Sequence, residues 1–249
     1  VTTPATSSAS DPAPAPGQAD GPASRQGTVV AVDGTSGSGK SSTCRAVAAR
    51  LGLAYLDTGA MFRAMTWWML EQGVDVHDAA AVAERCEEPR IVSGTDPEAP
   101  TIHVDGTDVA AAIRTDAVTG SVSPVSTVPA VRARLLTMQR EVIAEAVRGT
   151  GIVVEGRDIG SVVAPDAPVK LYLTADPAAR AARRAAEEGG SDLAATQAVL
   201  LDRDRIDSSR ATAPLTMAEG AVHIDTTPFT LDEVVAQVVG LVRAVGTRA

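Results

Sequence analysis

Lysine is almost missing from this chain. Lys40 and Lys170 are the only two, and the other twenty basic residues are arginine. Cysteine is as scarce: Cys44 and Cys86 show neither metal-ligand spacing nor a disulfide framework, which fits a reducing cytoplasm. The three histidines, His77, His103 and His223, are scattered, so neither a zinc site nor a histidine-based triad is suggested. Long apolar runs are absent. None approaches the roughly 18 residues that cross a bilayer, so a soluble protein with no membrane partner is expected. The formal charge of −9 argues against a general nucleic-acid surface. With no long apolar patch demanding a partner, a monomer is the default expectation.

What is present is unevenly distributed. Residues 1–26 are mostly Ala, Pro, Ser, Thr, Gly and Asp without apolar periodicity, the composition of a disordered tail. Having neither a basic start nor a continuous apolar stretch, this segment is not expected to be a signal peptide. Residues 27–249 suit one sizeable domain with an insertion. Short apolar stretches at 29–32, 53–57, 152–154, 169–173 and 222–225 alternate with helical patterns. That alternation predicts an α/β fold with a five-stranded parallel sheet covered on both faces. Between the second and third of these strands, residues 90–110 are β-rich and carry an Asp105-Gly106 turn signal, which predicts a small antiparallel insert. A long helix is expected from Pro129, with Val131, Leu135, Met138, Val142, Ile143 and Val147 on its inner stripe. Residues 230–233 form a capping box. The last helix should bury Leu231, Val234, Val235, Val238, Leu241, Val242 and Val245.

The first strand runs into Gly34, Thr35, Ser36, Gly37, Ser38, Gly39, Lys40 and Ser41, which fits G-x-x-x-x-G-K-[ST]. Strand, glycine-rich loop and helix follow in the order a phosphate-cradling P-loop needs. Main-chain N–H groups turn inward, and the helix N-terminus favours an anion. Lys40 is expected to reach the β- and γ-phosphates of a nucleoside triphosphate, with the Ser41 hydroxyl on Mg²⁺.

A P-loop leaves several functions open. No Asn/Thr-Lys-x-Asp run is present to read guanine, and no long apolar strand ends in Asp-Glu as in motor-type ATPases. Arginines instead fall where strands end. Arg63 lies one helical turn beyond the second strand, and Arg157 directly follows the third. Ligands bind at the carboxyl ends of strands in open α/β sheets, so both should face the P-loop and grip a second phosphate. A small-molecule kinase with an alcohol acceptor, of the shikimate, gluconate or dephospho-CoA type, is the nearest alternative. A nucleotide switch without phosphotransfer is a further one.

Four segments taken together are far more specific: Gly34–Ser42, the run Leu-Asp-Thr-Gly-Ala-Met-Phe-Arg ending at Arg63, the run Glu-Gly-Arg-Asp-Ile-Gly-Ser-Val-Val-Ala-Pro-Asp-Ala beginning at Glu155, and the run Asp-Ser-Ser-Arg-Ala-Thr-Ala-Pro-Leu beginning at Asp207. In that order they resemble the bacterial cytidylate kinases, from about Val29 to about Val242. The resemblance implies a three-layer P-loop nucleoside monophosphate kinase fold with a monophosphate-binding region at about 58–145, containing the β-rich insert, and a helical lid at about 177–207. The core would comprise 27–57, 146–176 and 208–249. It also implies ATP and Mg²⁺ as donor and cofactor, and CMP or dCMP as acceptor.

Residue by residue, the resemblance places Gly34 through Ser42 on the donor, joined by Arg180, Arg184 and Arg203 of the lid. Thr58, Arg63, Arg114 and Arg132 would contact the acceptor, and Ser123 its cytosine edge. Arg157 and Asp158 would hold the monophosphate and the sugar side, and Asp207 and Arg210 the ribose and phosphate. Lys40, Arg132, Arg157 and Asp158 are the expected catalytic set. Two positions depart from the family pattern. Phe62 stands where tyrosine is common, and Glu155 stands where aspartate is common, still within reach of Mg²⁺ through a water.

Overall fold

The computed structural model describes residues 27–187, 192–210 and 213–246. The predicted tail, residues 1–26, lies outside the described residues. In chain order the elements are β1 (Thr28–Gly34), α1 (Lys40–Leu51), β2 (Ala54–Asp57), α2 (Thr58–Glu71), α3 (Ala79–Arg85), β3 (Ile91–Ser93), β4 (Ile102–Val104), β5 (Thr107–Asp108), α4 (Asp116–Thr127), α5 (Pro129–Val147), β6 (Gly151–Glu155), β7 (Val169–Thr174), α6 (Pro177–Glu187), α7 (Leu193–Ser209), β8 (Val222–Asp225) and α8 (Leu231–Gly246). A 3-10 turn at Ala112–Arg114 precedes α4, and one π-helical turn, Ile159–Val163, follows β6.

The main sheet has the order β2-β6-β1-β7-β8, and all its pairings are parallel. Successive side chains of a strand point to opposite faces, so continuous apolar strands feed two cores at once. Val30, Val32, Val153, Leu171 and Leu173 pack on one face with Cys44 and Val47 of α1 and Val234, Val235 and Val238 of α8. Ala31, Leu56, Ile152 and Val154 pack on the other with Met61 and Met65 of α2 and Leu135 of α5. This is the three-layer α/β arrangement predicted, with the P-loop at the carboxyl end of its central strand. Among the described residues no helix is long and apolar enough to cross a membrane.

The β-rich insert is a separate antiparallel sheet, β3-β4-β5. Its turn uses Asp105 at φ 52° and Gly106 at φ 84°, the two positive angles a tight two-residue hairpin requires. The edge of β2 is also occupied, because the Tyr55 N–H donates to the Thr95 carbonyl at 2.9 Å.

Several details differ from expectation. Helix α4 was not predicted, because Gly120, Pro124 and five Ser or Thr residues make it read as a loop. Burial of Val118, Val122 and Val125 at helical spacing overrides that weak propensity. In α5, Gln139 and not Met138 is buried, and Met138, Val142 and Val147 are only partly covered. In α8, Leu231 is exposed, Leu241 and Val245 are only partly covered, and Val239, which was not predicted, is buried. The capping box is present: the Thr230 N–H donates to the Glu233 carboxylate at 2.8 Å, and the Glu233 N–H returns to the Thr230 hydroxyl at 3.4 Å.

Candidate active site

A cleft of about 820 Å³ opens at the carboxyl ends of β1, β2 and β6. The P-loop forms one wall of it. Gly34 has φ 144°, and a Cβ there would lie 1.9 Å from the Leu173 carbonyl oxygen, so only glycine lets the chain leave the sheet at this point. Lys40 opens α1 and is buried. Its ammonium donates to the carbonyls of Gly34 at 2.9 Å and Thr35 at 2.7 Å. Burial, and then the Arg157 charge, bring its pKa down to about 8. The Ser41 hydroxyl donates to Glu155 Oε2 at 2.9 Å.

Glu155 ends β6 and is buried. The Tyr55 hydroxyl donates to its other oxygen, and the Thr58 hydroxyl donates to its main-chain carbonyl at 2.7 Å. Burial, reinforced by the nearby Asp57, raises the Glu155 pKa to about 7. The extra methylene relative to aspartate therefore still brings a carboxylate against the P-loop serine. Hard oxygen donors at 2.9 Å suit a small divalent cation that keeps most of its waters. No cluster of three or more His, Cys, Asp or Glu residues that could cage a metal occurs among the described residues.

The opposite wall carries cations from distant segments. Arg63 of α2 pairs with Asp57 at 3.0 Å. Arg132 of α5 pairs with Asp158 at 2.5 Å and donates to the Ser126 carbonyl at 3.2 Å. Its guanidinium lies 5.5 Å from the Phe62 ring centroid, a cation–π contact that needs no tyrosine hydroxyl. Arg157 donates to the Gly34 carbonyl at 2.9 Å and pairs with Asp207 at 3.2 Å. Arg210 faces the same Asp207 at 3.6 Å. Arg63 Nε and Arg210 Nη2 are buried with no hydrogen-bond partner. Both residues line the cleft, so these donors are available to an anionic guest.

The structure brings most of the sequence-predicted residues into this one cleft. Ser36 to Ser42, Thr58, Arg63, Arg114, Ser123, Arg132, Glu155, Arg157, Asp158, Arg184, Arg203, Asp207 and Arg210 all line it. Arg114 is exposed on the 3-10 turn. Ser123 sits on the unpredicted α4, where its carbonyl accepts from the Ser126 hydroxyl. Arg203 of α7 is held down to about 10, first by burial and then by Arg157. Gly34, Thr35 and Arg180 do not line the wall. The two loop residues support Lys40, and Arg180 lies behind Ser36.

Four polar residues escaped the sequence reading. Asp33 accepts from the N–H groups of Ile159 at 2.7 Å and Gly160 at 2.8 Å, fixing the π turn directly after Arg157 and Asp158. Burial lifts its pKa to about 6. Tyr55 holds Glu155, and Arg183 donates to the Thr226 hydroxyl and carbonyl at 2.9 Å each. Asp204 of α7 reaches the P-loop, as described below. A carboxylate ending an apolar strand was the one available signal for Asp33. The alternating Asp202-Arg203-Asp204-Arg205 run gave none for Asp204, since its Asp202–Arg205 pair is an ordinary surface contact.

Residues 30–244 match the family model described as Cytidylate kinase. The chain belongs to the cytidylate kinase family. It is 58% identical over 214 residues to the cytidylate kinase of Streptomyces avermitilis, covering 86% of this chain and 92% of that protein. The corresponding figures for the cytidylate kinase of Streptomyces griseus are 57% over 218 residues, 88% and 94%. For that of Nocardia farcinica they are 52% over 211 residues, 83% and 90%. As a member of the cytidylate kinase family the chain is a nucleotide kinase, a phosphotransferase on a P-loop fold.

Proposed function

We propose that this protein transfers the γ-phosphoryl group of ATP to CMP or dCMP, giving ADP and CDP or dCDP. The observation that carries the reading is the convergence of Arg63, Arg132, Arg157 and Arg210 opposite a complete P-loop. Two polyanions must meet in this reaction, and the protein's task is to position them and offset their repulsion. Lys40, whose ammonium donates to the Gly34 and Thr35 carbonyls, serves the triphosphate. The arginines exchange part of their carboxylate contacts for the acceptor phosphate. Ser41 and Glu155 would hold Mg²⁺, Glu155 through water, and the ion would neutralise charge on the β- and γ-phosphates.

A phosphate monoester is already a competent nucleophile, so no general base is needed. The carboxylates of the acceptor wall agree. Asp57, Asp158 and Asp207 are each engaged by arginine, whereas an alcohol acceptor such as shikimate calls for one poised to take a proton. Closure of α6 and α7 over the cleft would exclude water as a competing acceptor.

A coupled ADP-release assay across CMP, dCMP, UMP, AMP and shikimate tests the reading. Turnover is expected with CMP and dCMP. Turnover with shikimate and none with CMP would overturn it.

A further inference from the structure

Helices α6 and α7 contribute no residue to either of the two apolar cores. What joins them to the cleft is polar, and it centres on Asp204, whose side chain is 14% exposed. Oδ1 accepts the Ser36 N–H of the P-loop at 3.0 Å and faces Arg157 Nη1 at 3.3 Å. Oδ2 accepts from Arg180 Nη1 of α6, and the same nitrogen donates to the Ser36 carbonyl at 3.0 Å. Close approach is built in. Gly37 has φ 74°, and a Cβ there would meet Arg180 Cβ at 3.2 Å and its carbonyl oxygen at 3.3 Å.

One carboxylate thus ties together the donor loop, the lid and the arginine that follows β6. An isolated buried carboxylate would be costly, so it is satisfied only when all three segments are in register. Conversely, Arg157 is aimed by three groups at once: Gly34 from the donor loop, and Asp204 and Asp207 from α7. Anything that orders the lid on the donor loop therefore also orders a cation of the acceptor wall.

We propose that Asp204 is a positioning residue that couples the two nucleotide sites, so that occupation of the P-loop tightens binding of the acceptor monophosphate through the Ser36–Asp204–Arg157 bridge. This rests on the two-nucleotide function proposed above. Coupling between sites is reciprocal and commonly amounts to about 5–150-fold in affinity.

The test is calorimetric titration of CMP into the full chain, with and without saturating magnesium β,γ-methylene-ATP. In the wild type the analogue is expected to lower the CMP Kd about tenfold or more. In Asp204→Asn that ratio is expected to fall to within about twofold of one. Asp202→Asn, on the outer face of the same helix, is expected to keep the wild-type ratio. If the amide variant fails to fold, Asp204→Ser removes the same carboxylate in a smaller side chain and is read in the same way. A wild-type ratio near one, or a full ratio retained without the carboxylate, would overturn the coupling role while leaving the proposed function intact. Absence of CMP binding to the wild type under either condition would instead overturn the proposed function, and the coupling with it.

Discussion

The two walls of the cleft hold their cations by different chemistry. On the donor side Lys40 rests on two main-chain carbonyls of a single loop. Dipoles steady its ammonium without cancelling its charge, and burial depresses its pKa. On the acceptor side Arg63, Arg132 and Arg210 each face a carboxylate, and two of the three pairs are almost fully buried. There the charge is largely compensated until a phosphate arrives. Under the proposed function, the difference suits a triphosphate that must be gripped as charge develops, and a monophosphate that must be admitted and released. It also separates what each wall contributes to stability. A cation on carbonyls can be removed cheaply, while a cation on a buried carboxylate cannot.

That contrast can be broken by mutation. The largest effect is expected for Lys40→Ala, which, under the proposed function, removes a charge directed at the transferring group. Steady-state kinetics with ATP and CMP are expected to show kcat falling by about 10³-fold. A loss of less than about tenfold would mean that Lys40 serves the loop and not the reaction. Arg132→Ala comes next. It leaves the buried Asp158 without its paired cation, and urea unfolding is expected to show a loss of about 3–5 kcal/mol. Adding Asp158→Asn should restore most of that stability without restoring the KM for CMP. If both recover together, the pair is structural only.

Asp33 sharpens the comparison from the other direction, since it is a buried carboxylate held by main-chain N–H groups, the mirror image of Lys40. Its pKa is raised from 3.8 to about 6 by burial. A raised folded-state pKa stabilises the protonated form. The contribution of Asp33 is therefore complete below about pH 4 and declines as pH rises to about 6. Relative to Asp33→Asn, the wild type is expected to lose about 2–3 kcal/mol of its advantage between pH 4 and pH 7. The difference in urea-unfolding free energy at the two pH values measures it. A constant difference would contradict the assignment.

Legibility in the sequence followed continuity along the chain. The P-loop is one contiguous segment, so its strand, loop and helix could be read together. The two cores were readable for a related reason, because period-2 and period-3.6 patterns are local. Read from the residues alone, the arginine wall showed only Arg63 and Arg157 at strand ends; Arg132 and Arg210 came from the family resemblance, and the mutual placement of all four came from the fold. Asp204 is 168 residues from the Ser36 N–H it receives, and Tyr55 is 100 residues from Glu155. No local pattern marks such pairs. Helix α4 was hidden for the opposite reason, since local propensity was readable but misleading. Gly120 and Pro124 argue against a helix until Val118, Val122 and Val125 are buried by the tertiary fold. Gln139 likewise sits on a buried stripe that hydrophobicity alone assigned to Met138.

The most direct test of the division between donor and acceptor walls is the binding of each nucleotide to Arg63→Gln. Arg63 pairs with the half-buried Asp57 and keeps a buried N–H without a partner, so its loss is expected to weaken a charge-assisted contact to the acceptor phosphate. Titrated separately, CMP is expected to bind about 10–100-fold more weakly, with ATP unchanged to within about twofold. Equal weakening of both nucleotides, or an unaltered CMP affinity, would contradict an acceptor wall built from these arginines.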